Sequence, residues 1–241
     1  MSRQQPQNKT IRTYLVNAMK SGQYSNCAHL PSEKELAETL GISRTQLRDT
    51  LAALEREGFI TRRHGVGTLI NHHVLDVPCR MDIETEFLDM IRQCGLQPAA
   101  VCLQVSEQPA DAVTAECLRL DEGTPVIRVA NLCTADGKPA IYWEDVFAKS
   151  LIKKACTTQD YKKLIFQFME EFCGVSAYMD LTDLRPVLAD AALAQQLQIP
   201  IGTPVLNLKE VDFDIDGNPI FCSYQYFVDG IFRHTVLRKK L

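Results

Sequence analysis

The sequence predicts an α+β fold in two parts, a helical segment closed by a hairpin over residues 1–70 and a mixed α/β domain over 81–241. Three observations carry this reading. Apolar residues recur at helical spacing in three successive stretches before residue 58, then give way to two short strand-like runs around a glycine-rich tip. From residue 81 onward strand-like and helix-like runs alternate. Finally, Gly123-Thr124-Pro125-Val126 returns as Gly202-Thr203-Pro204-Val205, and Asp136-Gly137-Lys138-Pro139 returns as Asp216-Gly217-Asn218-Pro219, so the second part reads as a duplicated hairpin.

The first helix is expected over Thr10–Met19, where Ile11, Tyr14, Leu15 and Ala18 share a face, with Gly22 as its stop. The second starts at Leu30-Pro31-Ser32-Glu33-Lys34-Glu35, where Ser32 caps the backbone amides and Glu35 completes the capping-box spacing; it runs to about Leu40. Gly41 suits a sharp turn, because glycine reaches left-handed backbone angles without steric cost. Ser43 then caps a third helix running to about Glu57, with Leu47, Leu51 and Leu54 on one stripe and Arg44 and Arg48 on another. Phe59-Ile60-Thr61 and Thr68-Leu69-Ile70 read as strands flanking Arg62-Arg63-His64-Gly65-Val66-Gly67. Residues 71–80, which lack a period and contain Pro78, are expected to be a linker.

In the second part, helices are expected at about 83–94, 110–118, 161–172 and 189–197. Strands are expected at about 98–107, 125–134, 139–147, 177–187, 204–215, 219–228 and 231–238. The duplication predicts a closed, pseudo-symmetric sheet with helices on one face.

Composition narrows the function classes. An apolar fraction of 46% is enough for packed cores and excludes a disordered or fibrous chain. No apolar run approaches the roughly 20 residues that cross a bilayer, and the polar start MSRQQPQNKT lacks the apolar core of a secretory signal, so a cytoplasmic protein with no membrane partner is expected. Nine scattered cysteines, without a CxxC pair or clustered histidines, fit free thiols in a reducing compartment better than a zinc site; no metal and no cofactor are expected. Residues 1–70 hold ten Lys and Arg against six Asp and Glu, which leaves 16 against 24 for the rest out of totals of 26 and 30. A basic end on an acidic body points to a polyanion meeting only the N-terminal part.

A helix-turn-helix reads DNA by laying its second helix in the major groove while the first crosses the backbone. The third helix has the chemistry for that. Arg44, Thr45, Gln46 and Arg48 lie in its first turns, where side chains reach base edges, and arginine pairs bidentately with guanine. Lys34 and the cap Ser43 are placed for phosphates, and His64 and Gly65 at the hairpin tip for an adjacent minor groove or its phosphates. The plainer alternative is a solvated helical hairpin in which the arginines pair with Asp49 or Glu55.

The stretch LPSEKELAETLGISRTQLRDTLAALEREGFITRRHGVGTLI resembles the winged-helix signature of the GntR family of bacterial regulators over about forty continuous residues. The remainder resembles the HutC-like branch of that family in LDEGTPVIRVANLCTADGKPAIYWEDVF, in IPIGTPVLNLKEVDFDIDGNPIFCSYQYF and in the helix EFLDMIRQCGLQP. The resemblance implies an N-terminal winged helix-turn-helix followed by a chorismate-lyase-like mixed α/β effector domain, called UTRA. It also implies a homodimer on an inverted-repeat operator, usually a repressor released by a small metabolite. A lone winged helix touches few base pairs, so two half-sites read by a two-fold protein agree with the dimer independently.

Effector pockets in that branch lie between the sheet and the loops, and the candidates there are Arg128, Asn131, Tyr142, Glu144, Ser223 and Tyr226. Ser223 and Tyr226 fall on the branch's Tyr-Ser-x-x-Tyr run, with Cys222 in place of the first tyrosine. Sugar-phosphate sensors of the branch carry arginines where this chain has Asn131 and Cys133. That departure, with acidic Asp82, Glu84 and Glu86 before the next helix, leans toward a neutral or cationic ligand. The rival reading is an enzyme of chorismate-lyase-like fold, since fold does not fix function. No nucleophile with a supporting base is apparent. Of His29, His64, His72, His73 and His234, only the last lies beyond the DNA-binding part and linker. A third reading is a winged helix that binds another protein.

Overall fold

Capping chemistry sets the first three helices. The computed structural model describes residues 5–240, beginning with α1 (Gln5–Lys20), α2 (Glu33–Leu40) and α3 (Arg44–Arg56). Ser32 and Glu35 form a complete capping box at the start of α2, and Gly41 closes that helix at φ 64°, its amide reaching the carbonyls of Ala37 and Glu38. Ser43 and Gln46 form the same box on α3. The apolar stripe is fully buried: Leu36, Leu47, Leu51 and Leu54 pack with Leu15 and Met19 of α1. Each such leucine contributes about 1.5–3 kcal/mol relative to exposure. Strands β1 (Ile60–Arg63) and β2 (Gly67–Ile70) pair antiparallel, with Ile60 opposite Ile70. On the other side of β2 an isolated antiparallel bridge joins His29 to Leu69.

The segment 71–80 is not the plain linker its composition suggests. It holds α4 (His72–Leu75), whose Val74 and Leu75 are buried in the N-terminal core, and β3 (Cys79–Arg80). Asn71 secures the entry, its Nδ2 donating to the Gly58 carbonyl at 2.7 Å. Strand β3 pairs in parallel with β10 (His234–Thr235), all that forms of the strand expected over 231–238. Beyond β10 the chain continues along the winged helix. Leu237 joins its core, the Leu237 amide donates to Asp82, and Lys239 Nζ donates to the Glu55 carbonyl. A Cβ on Gly58 would displace the end of the Leu237 side chain, and the φ of 83° there is one that favours glycine. Arg80 is buried beside it, paired with Asp82, donating to the Glu57 carbonyl at 2.5 Å and lying 5.1 Å from the Phe59 ring. The first structural unit therefore runs to Thr85 and resumes at His234, and the second is Glu86–Arg233 rather than all of 81–241. Parallel pairing between segments some 155 residues apart leaves no local period.

The second unit is built on one antiparallel sheet in the order β4-β5-β6-β9-β8-β7: β4 (Pro98–Pro109), β5 (Pro125–Ala135), β6 (Lys138–Ala148), β7 (Met179–Leu188), β8 (Pro204–Phe213) and β9 (Pro219–Val228). The duplication is visible as two three-stranded halves joined at their inner strands β6 and β9. Asp136 and Gly137 both take positive φ in the β5–β6 turn, as a two-residue hairpin demands. The sheet is open, not closed, because each half leaves its outer strand, β4 or β7, as an edge. Helices also cover both faces instead of one. α6 (Ala112–Leu118) and α8 (Ala191–Leu197) pack on Val126, Val146, Leu132 and Val205. α7 (Ile165–Phe168) and the wider turn Met169–Cys173 pack on Ile127, Val129, Phe147 and Phe221. Short helix α5 (Phe87–Gln93) sets Phe87 4.9 Å from Trp143 on that second face. Both faces carry apolar side chains, so both demand cover.

Deleting residues 234–241 is expected to destabilise the N-terminal unit by on the order of 2 kcal/mol, from the lost burial of Leu237 and the lost strand pairing. Hydrogen exchange should accelerate at Met81, whose amide is bonded to Thr235, and stay unchanged across β5 and β6.

Candidate nucleic-acid interface and ligand cavity

With Leu47, Leu51 and Leu54 turned inward, α3 presents Arg44, Thr45 and Arg48 to solvent. Ser43 and Gln46 use their polar groups on each other: the Ser43 hydroxyl accepts the Gln46 amide at 3.2 Å, and Gln46 Oε1 accepts the Ser43 amide at 3.2 Å. Ser43 is exposed and Gln46 half-buried, and the cap fixes the helix start next to the arginines. Arg48 donates to Glu33 of α2 at 2.8 Å, which holds its guanidinium further into the charged range. Neither Asp49 nor Glu55 is its partner, and Glu55 instead takes Arg62 at 2.7 Å. Lys34 is exposed in the first turn of α2.

The hairpin tip carries exposed His64 and Gly65, the latter at φ 75°. Between this tip and the start of α2 lies a groove of about 820 Å³, lined by His29, Ser32, Glu33, Arg62, Arg63, His64 and Gly65 among others. Arg62, Arg63 and His29 join the expected residues there. The basic run before His64 signals the first two, but only the β2 pairing brings His29 to the groove.

On the α6 and α8 face of the sheet a cavity of about 590 Å³ gathers Arg128 from β5, Tyr142 and Glu144 from β6, Asn207 from β8 and Tyr224 and Tyr226 from β9, closed by Asp111, Asp190 and Leu193 at the helix starts. Arg128 donates to Glu144 Oε2 at 2.5 Å and Tyr142 Oη to Glu144 Oε1 at 2.5 Å. Burial, then the Glu144 carboxylate, pushes the Tyr142 phenol far above its usual value, so it is a proton donor. Four expected residues, Arg128, Tyr142, Glu144 and Tyr226, thus meet in one cavity. Asp111, Asp190 and Asn207 were not foreseen. Local sequence shows the two aspartates as helix caps, but not that both caps face one space.

Asn131 and Ser223 lie elsewhere. In register Asn131 is opposite Trp143 and Ser223 opposite Asp145, and both belong to the sheet face away from the cavity. Side chains alternate across a strand, so a one-residue offset moves a group through the sheet. On that face Ser223, fully buried, hydrogen bonds to Asp145, which also accepts Trp143 Nε1 at 3.0 Å. Burial pushes the Asp145 carboxyl up to about 7 against the pull of these bonds, and Glu210 and Glu86 add to the rise. Glu210 is itself raised, mainly by burial. Asp82, paired with Arg80, and Glu86, near Asp145, do not line the cavity.

All nine cysteines are free thiols. Among the described residues no group of three or more His, Cys, Asp or Glu side chains is placed to hold a metal ion, and no helix is long and apolar enough to cross a membrane.

Residues 7–70 match the family of bacterial regulatory proteins of the gntR family, and residues 93–232 match the UTRA domain. The chain is 26% identical over 191 residues to PhnF of Escherichia coli K12, described as a probable transcriptional regulator, covering 79% of this chain and 78% of that protein. It is 22% identical over 213 residues to YurK of Bacillus subtilis 168, an uncharacterized HTH-type transcriptional regulator, covering 88% and 87%. Among solved structures, YydK of Bacillus subtilis matches with a TM-score of 0.77 at 17% identity over 96% of this chain and 99% of that one. PhnF from Mycobacterium smegmatis matches at 0.61 and 21% identity over 87% and 91%. At these identities the structural likeness establishes the fold.

Because Asp145 holds its proton up to about 7 when folded and only to about 3.8 when unfolded, the folded state binds the extra proton between those values. Stability should therefore fall as pH rises through that window, by at most about 1.4 kcal/mol per pH unit. Urea unfolding at pH 5 and 7.5 should show the loss, and Asp145→Asn should flatten it.

Proposed function

Since the chain belongs to the gntR family of bacterial regulatory proteins and carries a UTRA domain, which makes it a DNA-binding transcription regulator responsive to a small molecule rather than an enzyme, we propose that it acts as a cytoplasmic homodimeric repressor on an inverted-repeat operator. In this reading the first seventy residues bind DNA, and the unit Glu86–Arg233, within the region from residue 81, binds the effector and forms the dimer, with the chain end from His234 serving the first unit. The observation that carries it is the rotation of α3: its leucines are buried and its arginines stand outward at the N-terminal turns. Arg44 and Arg48 read base edges. Ser43 and Lys34 set register on phosphates, while His64 and Gly65 approach the neighbouring groove, with Thr45 and Gln46 beside the arginines. Arg48 would exchange Glu33 for a base, and such an exposed pair is weak enough to yield.

Strand β7 supports the dimer. This sheet edge leaves Met179, Leu181, Leu184 and Leu188 more than half exposed, and apolar edges of that kind are covered in stable proteins. Effector binding in the cavity would then select between dimer geometries, shifting operator affinity by its differential affinity for them.

Arg48→Ala is expected to weaken operator binding by about tenfold or more and to relax sequence preference, as the loss of one bidentate base contact does. Lys34→Ala should weaken binding evenly across sequences and reduce the salt slope by about one. Electrophoretic shifts over a range of salt that leave both variants like wild type would remove α3 from the interface. Sedimentation should show a dimer at operator-binding concentrations and a monomer for Leu181→Glu combined with Leu184→Glu.

A further inference from the structure

The cavity beneath α6 and α8 also says what kind of charge its occupant bears. Resting on the effector-pocket reading above, we infer that the effector is an organic cation, an ammonium-type ion on an apolar body, and not a phosphate or carboxylate.

Charge is the first ground. Three carboxylates, Asp111, Glu144 and Asp190, line the cavity against one guanidinium, Arg128. That guanidinium already has its counter-ion. Arg128 is paired with Glu144, lies 5.9 Å from the Tyr224 ring, and the second Glu144 oxygen is taken by Tyr142. The pair is neutral as a unit, which leaves the two aspartates to set the local sign.

The second ground is what occupies the helix starts. Backbone amides at a helix start ordinarily favour an anion. Here the chain supplies that anion itself at both helices: Asp111 accepts the Thr114 amide at 2.7 Å and Asp190 the Leu193 amide at 2.8 Å. A phosphate at these helix starts would meet two carboxylates in place of free amides, and like charges repel.

The third ground is the aromatic wall. Tyr142 and Tyr226 present rings 6.1 Å apart and tilted by 33° beside those carboxylates. A cation gains from a ring face as well as from a carboxylate oxygen, whereas an anion gains from neither. Val187 and Leu193 supply apolar surface for the rest of the molecule.

The test uses the full chain and matched probes on butyl, phenylethyl and cyclohexyl skeletons, each ending in an ammonium, a hydroxyl or a carboxylate, with affinities from isothermal titration. The ammonium members should bind at least about tenfold more tightly than the carboxylates of the same skeleton. Asp111→Asn combined with Asp190→Asn should abolish that preference while keeping both helices, because asparagine caps as well as aspartate. A carboxylate bound as tightly as its amine, or a preference that survives in the double variant, would overturn the assignment. Leu193→Trp, which fills the cavity, separates this from the reading beneath it. Anion preference that is lost in Leu193→Trp defeats the cation alone. Probe binding that ignores Leu193→Trp, or no binding of any probe, defeats the effector pocket and the cation with it.

Discussion

The burial of one leucine stripe is the constraint on which the DNA-facing half depends. Leu47, Leu51 and Leu54 have no stable place except against Leu15, Met19 and Leu36, and satisfying them fixes the rotation of α3 about its own axis. Once that rotation is set, Arg44 and Arg48 must face outward, because they occupy other positions on the same helical wheel. The Ser43–Gln46 box then fixes where the helix starts, which places Arg44 in its first turn. The polar surface proposed to read DNA is thus positioned by apolar side chains that lie on the opposite side of the helix.

An equivalent division governs the sheet of the second unit. Alternation across β5, β6, β8 and β9 sends Arg128, Tyr142, Glu144, Asn207 and Tyr226 to one face and Asn131, Trp143, Asp145, Glu210 and Ser223 to the other. On the first face the polar groups line a space open to a ligand. On the second Trp143, Asp145, Glu210 and Ser223 are buried, and burial favours the protonated form of Asp145. The same strands therefore carry the lining of a cavity on one face and a buried acid network on the other.

The N-terminal unit is more than a winged helix followed by a tether. Val74, Leu75, Arg80 and Leu237 extend its core with segments drawn from the expected linker and from the far end of the chain. Gly58 has a double duty here. Its positive φ ends the turn after α3, and its missing side chain admits Leu237. The chain consequently passes between the two units twice, after Thr85 and after Arg233.

What the sequence by itself determined is what local chemistry encodes. The capping box at Ser32, the cap at Ser43, the glycine stop at Gly41, the leucine stripe of α3, the basic hairpin tip and the duplicated strand pairs are all written within a few residues of one another, and each takes the form that its spacing implies. Tertiary structure alone decided which groups become neighbours across long stretches of chain. It opened the sheet at β4 and β7, joined β3 to β10, turned Ser223 and Asn131 away from the cavity, and brought the caps Asp111 and Asp190 to a single pocket. The reason is that strand pairing and register are settled by the total apolar surface each face can bury, a quantity no short window of sequence contains.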